Sequence, residues 1–442
     1  MRYAGIVMGA ALIVVLGACE RITEYVEGTQ DVPLPGERIS VIALQQTLQP
    51  DQRIADISVR LPRPYVNEDW PQAGGHPTHA MHHLTLGDAP SQAWGVSAGR
   101  GAGDLVRLTA APIVAGNRVF ILDSEGSVAA HRVDNGQRVW RYNIVPKDED
   151  RGAIGGGLGY DGGILYVATG YGEVIAMLAE SGAEIWRRNV GVPLRGAPTV
   201  VNGRLFTVTN DNQLYALNIE DGGVAWTHIG IAEDAGIIGA ASPAVGSGVV
   251  VAPYSSGELI ALRVENGRLL WADSLTRTRR ATPLAELNDI NGSPVIDRDI
   301  VIAVGHAGGM VAIDLRSGTR LWEQEIASLQ TPWVAGNFVF VVTTEAQIVC
   351  LVRNTGRIRW VRQLPRYEDE ERRREAIEWS GPVLASDRLI VVSSRSDGIA
   401  VSPYSGDILG QLELPDGASL SPIVAGGTIY VLTDDGDLVA YR

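Results

Sequence analysis

Short alternating apolar stretches, each broken by a Gly/Asp/Ser turn, recur along the chain from about residue 110 to its end. Arg118-Val119-Phe120-Ile121-Leu122 is one such stretch and is followed by Asp123-Ser124-Glu125-Gly126. A second apolar run leads to a small residue, a tight turn such as Asp134-Asn135-Gly136 reverses the chain, and a further strand ends in tryptophan. Strand-period patterning with turn chemistry at each reversal predicts antiparallel hairpins.

The pattern repeats. Trp94, Trp140, Trp186, Trp226, Trp271, Trp322 and Trp360 are spaced by 46, 46, 40, 45, 51 and 38 residues. All but Trp94 have a glycine four residues earlier (Gly136, Gly182, Gly222, Gly267, Gly318, Gly356) and a small residue ten earlier (Ala130, Ala176, Ala216, Ala261, Ala312, Cys350). One more unit, Ala400 with Gly406, keeps the frame but has Gly410 in place of the tryptophan. A proline opens the units at Pro112, Pro198, Pro243, Pro294, Pro332, Pro382 and Pro422, with Leu158 standing in once. A period of this length in an all-strand pattern predicts a β-propeller. The last unit stops at Ala440-Tyr441-Arg442, and Trp94 has no full unit before it, so the strand at Gln92–Trp94 is expected to complete the blade begun at Pro422. Closure in this way removes open sheet edges and gives eight four-stranded blades over residues 70–442.

The N-terminus differs. Arg2 precedes an uncharged apolar run, Ala4 to Gly17, too short to span a bilayer comfortably. It ends in Leu16-Gly17-Ala18-Cys19, which resembles a bacterial lipobox. The expectation is a signal peptide over 1–18, lipidation of Cys19, and a polar, proline-containing tether over 19–69. Glu20 after the cysteine favours the outer membrane.

Composition narrows the function. With 51 acidic and 37 basic residues, a net charge of -14 and a single lysine, Lys147, the chain has no basic footprint for nucleic acid. Association with a membrane is therefore expected through lipid alone. Of the two cysteines, Cys19 is the lipidation candidate and Cys350 occupies a small-residue position in the repeat. No convergent base, nucleophile or metal set stands out, and no cofactor is expected.

The motif small-x5-Gly-x3-Trp is similar to the pyrroloquinoline-quinone-type propeller repeat, carried by quinoprotein dehydrogenases and by the BamB lipoproteins of the outer-membrane β-barrel assembly machinery. Dehydrogenases of that type resemble longer chains with adjacent cysteines and a carboxylate-rich calcium site, both missing from this pattern. Lipobox, length and eight blades together resemble the BamB family. That resemblance implies a non-enzymatic scaffold on the periplasmic face of the outer membrane. Its partner would be the POTRA domains of a BamA-like protein, and unfolded outer-membrane proteins are a further candidate. In that family two neighbouring inter-blade loops make the contact. Val192-Pro193-Leu194-Arg195-Gly196 matches one, and Asp289-Ile290-Asn291 matches the other, with Asn291 standing where the family pattern has a second aspartate. Val192, Leu194, Arg195, Asp289 and Asn291 are thus the candidate partner-binding residues. An arginine that merely pairs with a nearby carboxylate is the plainer reading of Arg195, and a small ligand or glycan in the channel is the alternative function.

Three other segments stand out. Four of the seven histidines lie in His76–His83; this segment is expected to pack on the propeller face, with metal binding the alternative. Arg366 to Glu375 reads as a charged, solvated insertion between blades, and Thr276–Arg280 as a similar stretch.

Overall fold

A computed structural model describes residues 48–442 apart from 104–105, 234–240 and 277–288. The signal peptide and Cys19 lie outside the described residues, as does Thr276–Arg280 beyond its first residue. Eight four-stranded antiparallel sheets form the blades, with one additional two-stranded hairpin. Blades 1 to 7 span 113–143, 156–189, 199–229, 244–274, 295–324, 333–363 and 379–413, and are numbered here in chain order. Blade 8 is built from three C-terminal strands over 423–441 and the N-terminal strand Gln92–Ser97, which pairs with Asp437–Tyr441. Closure therefore occurs where the repeat count placed it. The first strands of successive blades touch from blade 1 through blade 8, which puts them innermost and the tryptophan strands outermost.

Each repeat position has a physical task. In blade 1, Phe120, Ala130 and Trp140 lie in one register row across three strands. Blades 2, 3, 6 and 8 repeat that row with Tyr166, Phe206, Phe340 and Tyr430 as the inner aromatic. In these five blades the two rings meet over the small residue at centroid separations of 5.8–6.0 Å, a distance at which tilted aromatic pairs attract. The small residue is the gap that lets them meet. Cys350 takes this place in blade 6: it is fully buried, and burial raises its thiol pKa well above the usual range.

The repeat glycine serves two purposes. At Gly136, Gly182, Gly222, Gly267, Gly318, Gly356 and Gly406 the backbone is left-handed, with φ of 65–78°, a conformation that glycine adopts without strain. A Cβ at any of the seven would also lie 2.5–2.8 Å from the tryptophan of the preceding blade. That indole lies flat against the turn. Its Nε1–H donates to a backbone carbonyl of the same neighbouring blade, at 2.6–3.1 Å in all seven cases, as from Trp94 to Val133 and from Trp140 to Ala179. Each of these seven tryptophans thus clasps the next blade.

The segment from Asn67 to Leu86 forms a collar that no repeat announces. Innermost strands present unpaired backbone groups to the channel, and buried groups of that kind need partners. The collar supplies them blade by blade on the face of the short first-to-second-strand turns. Asn67 bonds Val424 and Gly426 in blade 8, and Trp70 exchanges two bonds with Val114 in blade 1. The Pro71 carbonyl accepts from Tyr160 in blade 2, and Gln72 Oε1 accepts from Val200 in blade 3. Pro77 and Thr78 accept from Val245 and Ile296 in blades 4 and 5. The His82 carbonyl accepts from the Trp333 indole in blade 6, and Leu84 N–H donates to Leu384 in blade 7. Trp70 of the collar and Trp333 of blade 6 stack at 6.3 Å. The histidine-rich segment packs on the propeller face as expected, and its rings have separate partners: His79 bonds Pro294 O, and His83 bonds Pro62 O and Asp387 N–H. Among the described residues no group of three His, Cys, Asp or Glu comes together to hold a metal ion.

Residues 49–69, expected within the tether, belong to the same compact unit as the propeller. Asp51 N–H donates to Ile358 O, Arg359 Nε to Ile57 O, and Ile54 and Val59 are buried.

Two predictions follow from these interactions. A leucine at Ala176 separates Tyr166 from Trp186 in a packed row, so Ala176→Leu should lower unfolding free energy by about 1–3 kcal/mol in urea titration. His79 is fully enclosed, and burial holds its pKa down to about 4, against 6.5 when free. The unfolded chain then binds a proton that the folded chain rejects, so stability falls as pH drops from 6.5 toward 4, by about 3 kcal/mol from this group. His79→Asn, which tolerates the left-handed backbone there (φ 61°), should flatten that part of the pH–stability curve.

Candidate partner-docking site

The two loops singled out in the sequence lie on the face opposite the collar, where each blade's outermost strand returns to the next blade's innermost one. One runs from the end of blade 2 at Asn189 to the start of blade 3 at Thr199; the other joins blades 4 and 5, from Ser274 to Val295. They are alternate loops in the ring, separated by the blade 3 to blade 4 connection, not neighbours.

Backbone bonds anchor the first loop. Leu194 N–H donates to Thr169 O in blade 2, Arg195 N–H donates to Val208 O in blade 3, and the Arg195 carbonyl accepts from Gly156 N–H. Gly155 permits that approach, since a Cβ there would sit 2.3 Å from Leu194 O. The Leu194 side chain is fully buried among Tyr166, Ala168, Val174 and Leu205. Val192 is half-buried and Pro193 is exposed, so this loop shows solvent its first half only.

Arg195 turns inward. Its guanidinium Nη2 donates to Asp289 Oδ1 at 2.5 Å, and the two side chains are 6% and 1% exposed. The structure therefore joins the two candidate loops by a buried ion pair across 94 residues of sequence. Arg195 Nη1 has no hydrogen-bond partner among the described residues. The Asp289 carbonyl accepts from His306 N–H in blade 5. Burial lowers the His306 pKa, while the Asp289 charge acts in the other direction. Asn291, two residues on, is half-buried, and its Oδ1 is likewise without a partner among the described residues. The plainer reading of Arg195, pairing with a carboxylate, is thus what the geometry contains. The carboxylate comes from the other candidate loop.

Sequence reading missed the loop between them. Ile229 ends the Trp226 strand and Ile231 follows it, and they are 70% and 59% exposed. At the position of Ile229, three residues after the repeat tryptophan, blades 1, 2, 4, 5, 6 and 7 have Asn143, Asn189, Ser274, Glu325, Gln363 and Glu413. One isoleucine among six polar residues was the available signal. Val192, Pro193, Ile229 and Ile231 thus give this face apolar points flanking a buried charge pair, a combination suited to protein contact.

Comparison with known proteins gives the family. The family model for outer membrane protein assembly factor BamB matches residues 89–154 and 124–362, more than half of the chain. The chain belongs to the BamB family. The BamB of Yersinia pestis is 28% identical over 360 residues, covering 78% of this chain and 89% of that protein. Among solved structures, BamB from Moraxella catarrhalis superposes with a TM-score of 0.68 at 17% identity, covering 80% of this chain and all of that one. The quinohemoprotein alcohol dehydrogenase of Comamonas testosteroni shares the propeller, with a TM-score of 0.63 at 13% identity over 85% of this chain and 80% of that one. At such identities the likeness is one of fold.

Removing one member of a buried ion pair is far costlier than replacing both. Arg195→Met alone should therefore lower the unfolding free energy by about 3 kcal/mol, whereas Arg195→Met with Asp289→Leu should recover most of it. Urea titrations of the four proteins of this double-mutant cycle check it.

Proposed function

We propose that this chain is a periplasmic scaffold lipoprotein of outer-membrane protein assembly, without catalytic activity of its own, that docks the POTRA domains of a BamA-like protein through its inter-blade loop face. Cys19 carries the lipid, the chain following it is the tether, and the outer membrane is the site of attachment. The observation that carries the docking reading is the Arg195–Asp289 pair, which ties the described part of one loop to the other while leaving Pro193 exposed and Val192 and Asn291 half-buried beside it. In this reading Val192, Ile229 and Asn291 meet the partner, and Leu194, Arg195 and Asp289 hold the loops in register. A single loop arrangement lowers the ordering cost of association.

Unfolded outer-membrane proteins are a second class of partner in this proposal. The outermost strand of each blade has one unpaired edge, and exposed aliphatics such as Val139, Ile185, Leu270 and Leu321 stand beside the tryptophans on these strands. An extended segment can add to such an edge through its backbone. A small ligand in the channel is less favoured, because the collar bonds every blade on one face of the ring.

The test is co-purification of the BamA-like protein from detergent-solubilised envelopes, followed by titration with its isolated POTRA domains. Val192→Asp with Ile229→Asp changes only side chains with solvent exposure, and should weaken binding about 30-fold while leaving the melting temperature in place. Arg195→Ala should weaken it too, together with stability. Full binding by a folded Val192→Asp, Ile229→Asp protein overturns the assignment of this face.

A further inference from the structure

The eighth indole is missing, and its place is open. Seven blades lay a tryptophan on the glycine turn of the next blade. In blade 7 that position is Gly410, which pairs with Ala400 as Trp360 pairs with Cys350 in blade 6. A Cβ at Gly410 would meet nothing within 4 Å. The residue beneath shows the same vacancy: the other seven small residues of the row are fully buried, while Ala400 is only half-buried.

A cavity of about 310 Å³ occupies this place, between blade 7 and the start of the closing strand. Its floor is Ile390, Ala400 and Gly410, and Leu409, Leu412 and Ile429 make apolar walls. This volume lies at the small end of the range of natural ligand pockets. One wall is polar. Arg388 spans it by donating to the Asp88 and Gly87 carbonyls, and its buried Nε has no partner among the described residues. A guanidinium at the side of an apolar slot complements the negative face of an aromatic ring. Leucine or isoleucine would fill volume here without using that charge.

We propose that this cavity is a binding site for an indole, and that its occupant is a tryptophan side chain presented by a partner polypeptide. The seven tryptophans seated in the same molecule supply the argument for the class: same register row and same small-residue floor, with Leu86, Asp88, Ala89 and Pro90 lining the side where the other seven have the next blade's glycine turn. Arg388 supplies the charge complementarity. The site lies at the outer edge of blade 7 and the ring closure, so it is separate from the inter-blade loops assigned to docking and does not depend on them.

The probe is N-acetyl-5-fluorotryptophanamide, followed by fluorine NMR so that the protein's own tryptophans stay silent. Full-length folded protein should bind it saturably, and N-acetylleucinamide should not displace it. Gly410→Trp fills the cavity from within and should weaken binding by at least about tenfold while raising the melting temperature. If Gly410→Trp does not fold, Ala400→Leu, which fills the same space from the floor, must produce the same loss. Val192→Asp, on the docking face, should bind the probe as the parent does. Absence of saturable binding to the parent protein, equal displacement by the leucine amide, or binding that survives a folded cavity-filling variant each overturns the proposal.

Discussion

An indole laid on a glycine turn is the contact on which this ring depends. Its apolar face covers a turn whose glycine has no Cβ to obstruct it, and its one polar atom finds a backbone carbonyl three residues beyond the neighbour's small residue. Burying a side chain of this size removes about 150–250 Å² from water, and pairing the N–H avoids the cost of an unsatisfied donor. Every blade but blade 8 is thereby held by the one before it, and four short strands that would be marginal alone become part of a closed series. The small-x5-Gly-x3-Trp motif follows from this contact: the small residue admits the indole in its own blade, and the glycine admits the indole of the previous one. Where the contact is missing, between blades 7 and 8, other bonds tie the seam. Ser386 exchanges two bonds with Leu86, and Arg388 holds the carbonyls of the segment entering the closing strand.

Because that contact demands fixed residue types at fixed spacing, the architecture was readable before any coordinates. Trp94 without a preceding unit and Ala440 without a following one implied ring closure, and Cys350 was placed in the core by its alignment with six alanines. The collar was not readable in the same way. Its bonds are made largely by backbone carbonyls, such as those of Pro71, Pro77 and Thr78, and such bonds impose no side-chain pattern. The Arg195–Asp289 pair was readable only in half. The two loops were identifiable from family motifs and the residue types are complementary, but nothing in a linear chain specifies which of 51 acidic residues one arginine will meet 94 positions away.

The two faces of the ring are consequently different surfaces. One is closed by the collar, whose buried groups, including the low-pKa His79, are already satisfied or enclosed. The other carries the long returns between blades, the hairpin Tyr367–Asp369 with Arg374–Ala376, and the exposed Ile229 and Ile231. The hairpin's charges are largely balanced locally, by Arg366 with Glu345, Arg372 with Asp369 and Arg395 with Glu368. Paired surface charges of this kind add little stability, so the hairpin has no strong structural reason for its composition.

A buried ion pair is an inefficient way to stabilise a loop, since desolvating both charges offsets most of their attraction. It is an effective way to select one loop arrangement, because every alternative leaves a charge buried and unpaired. Arg195 and Asp289 therefore make better sense as a registration device than as a source of stability. Their loops enter different blades, and the pair makes the spacing between those blades a property of both loops at once. A partner that reads Val192 on one loop and Asn291 on the other is reading that spacing, and the rigidity of the clasped ring beneath keeps it constant.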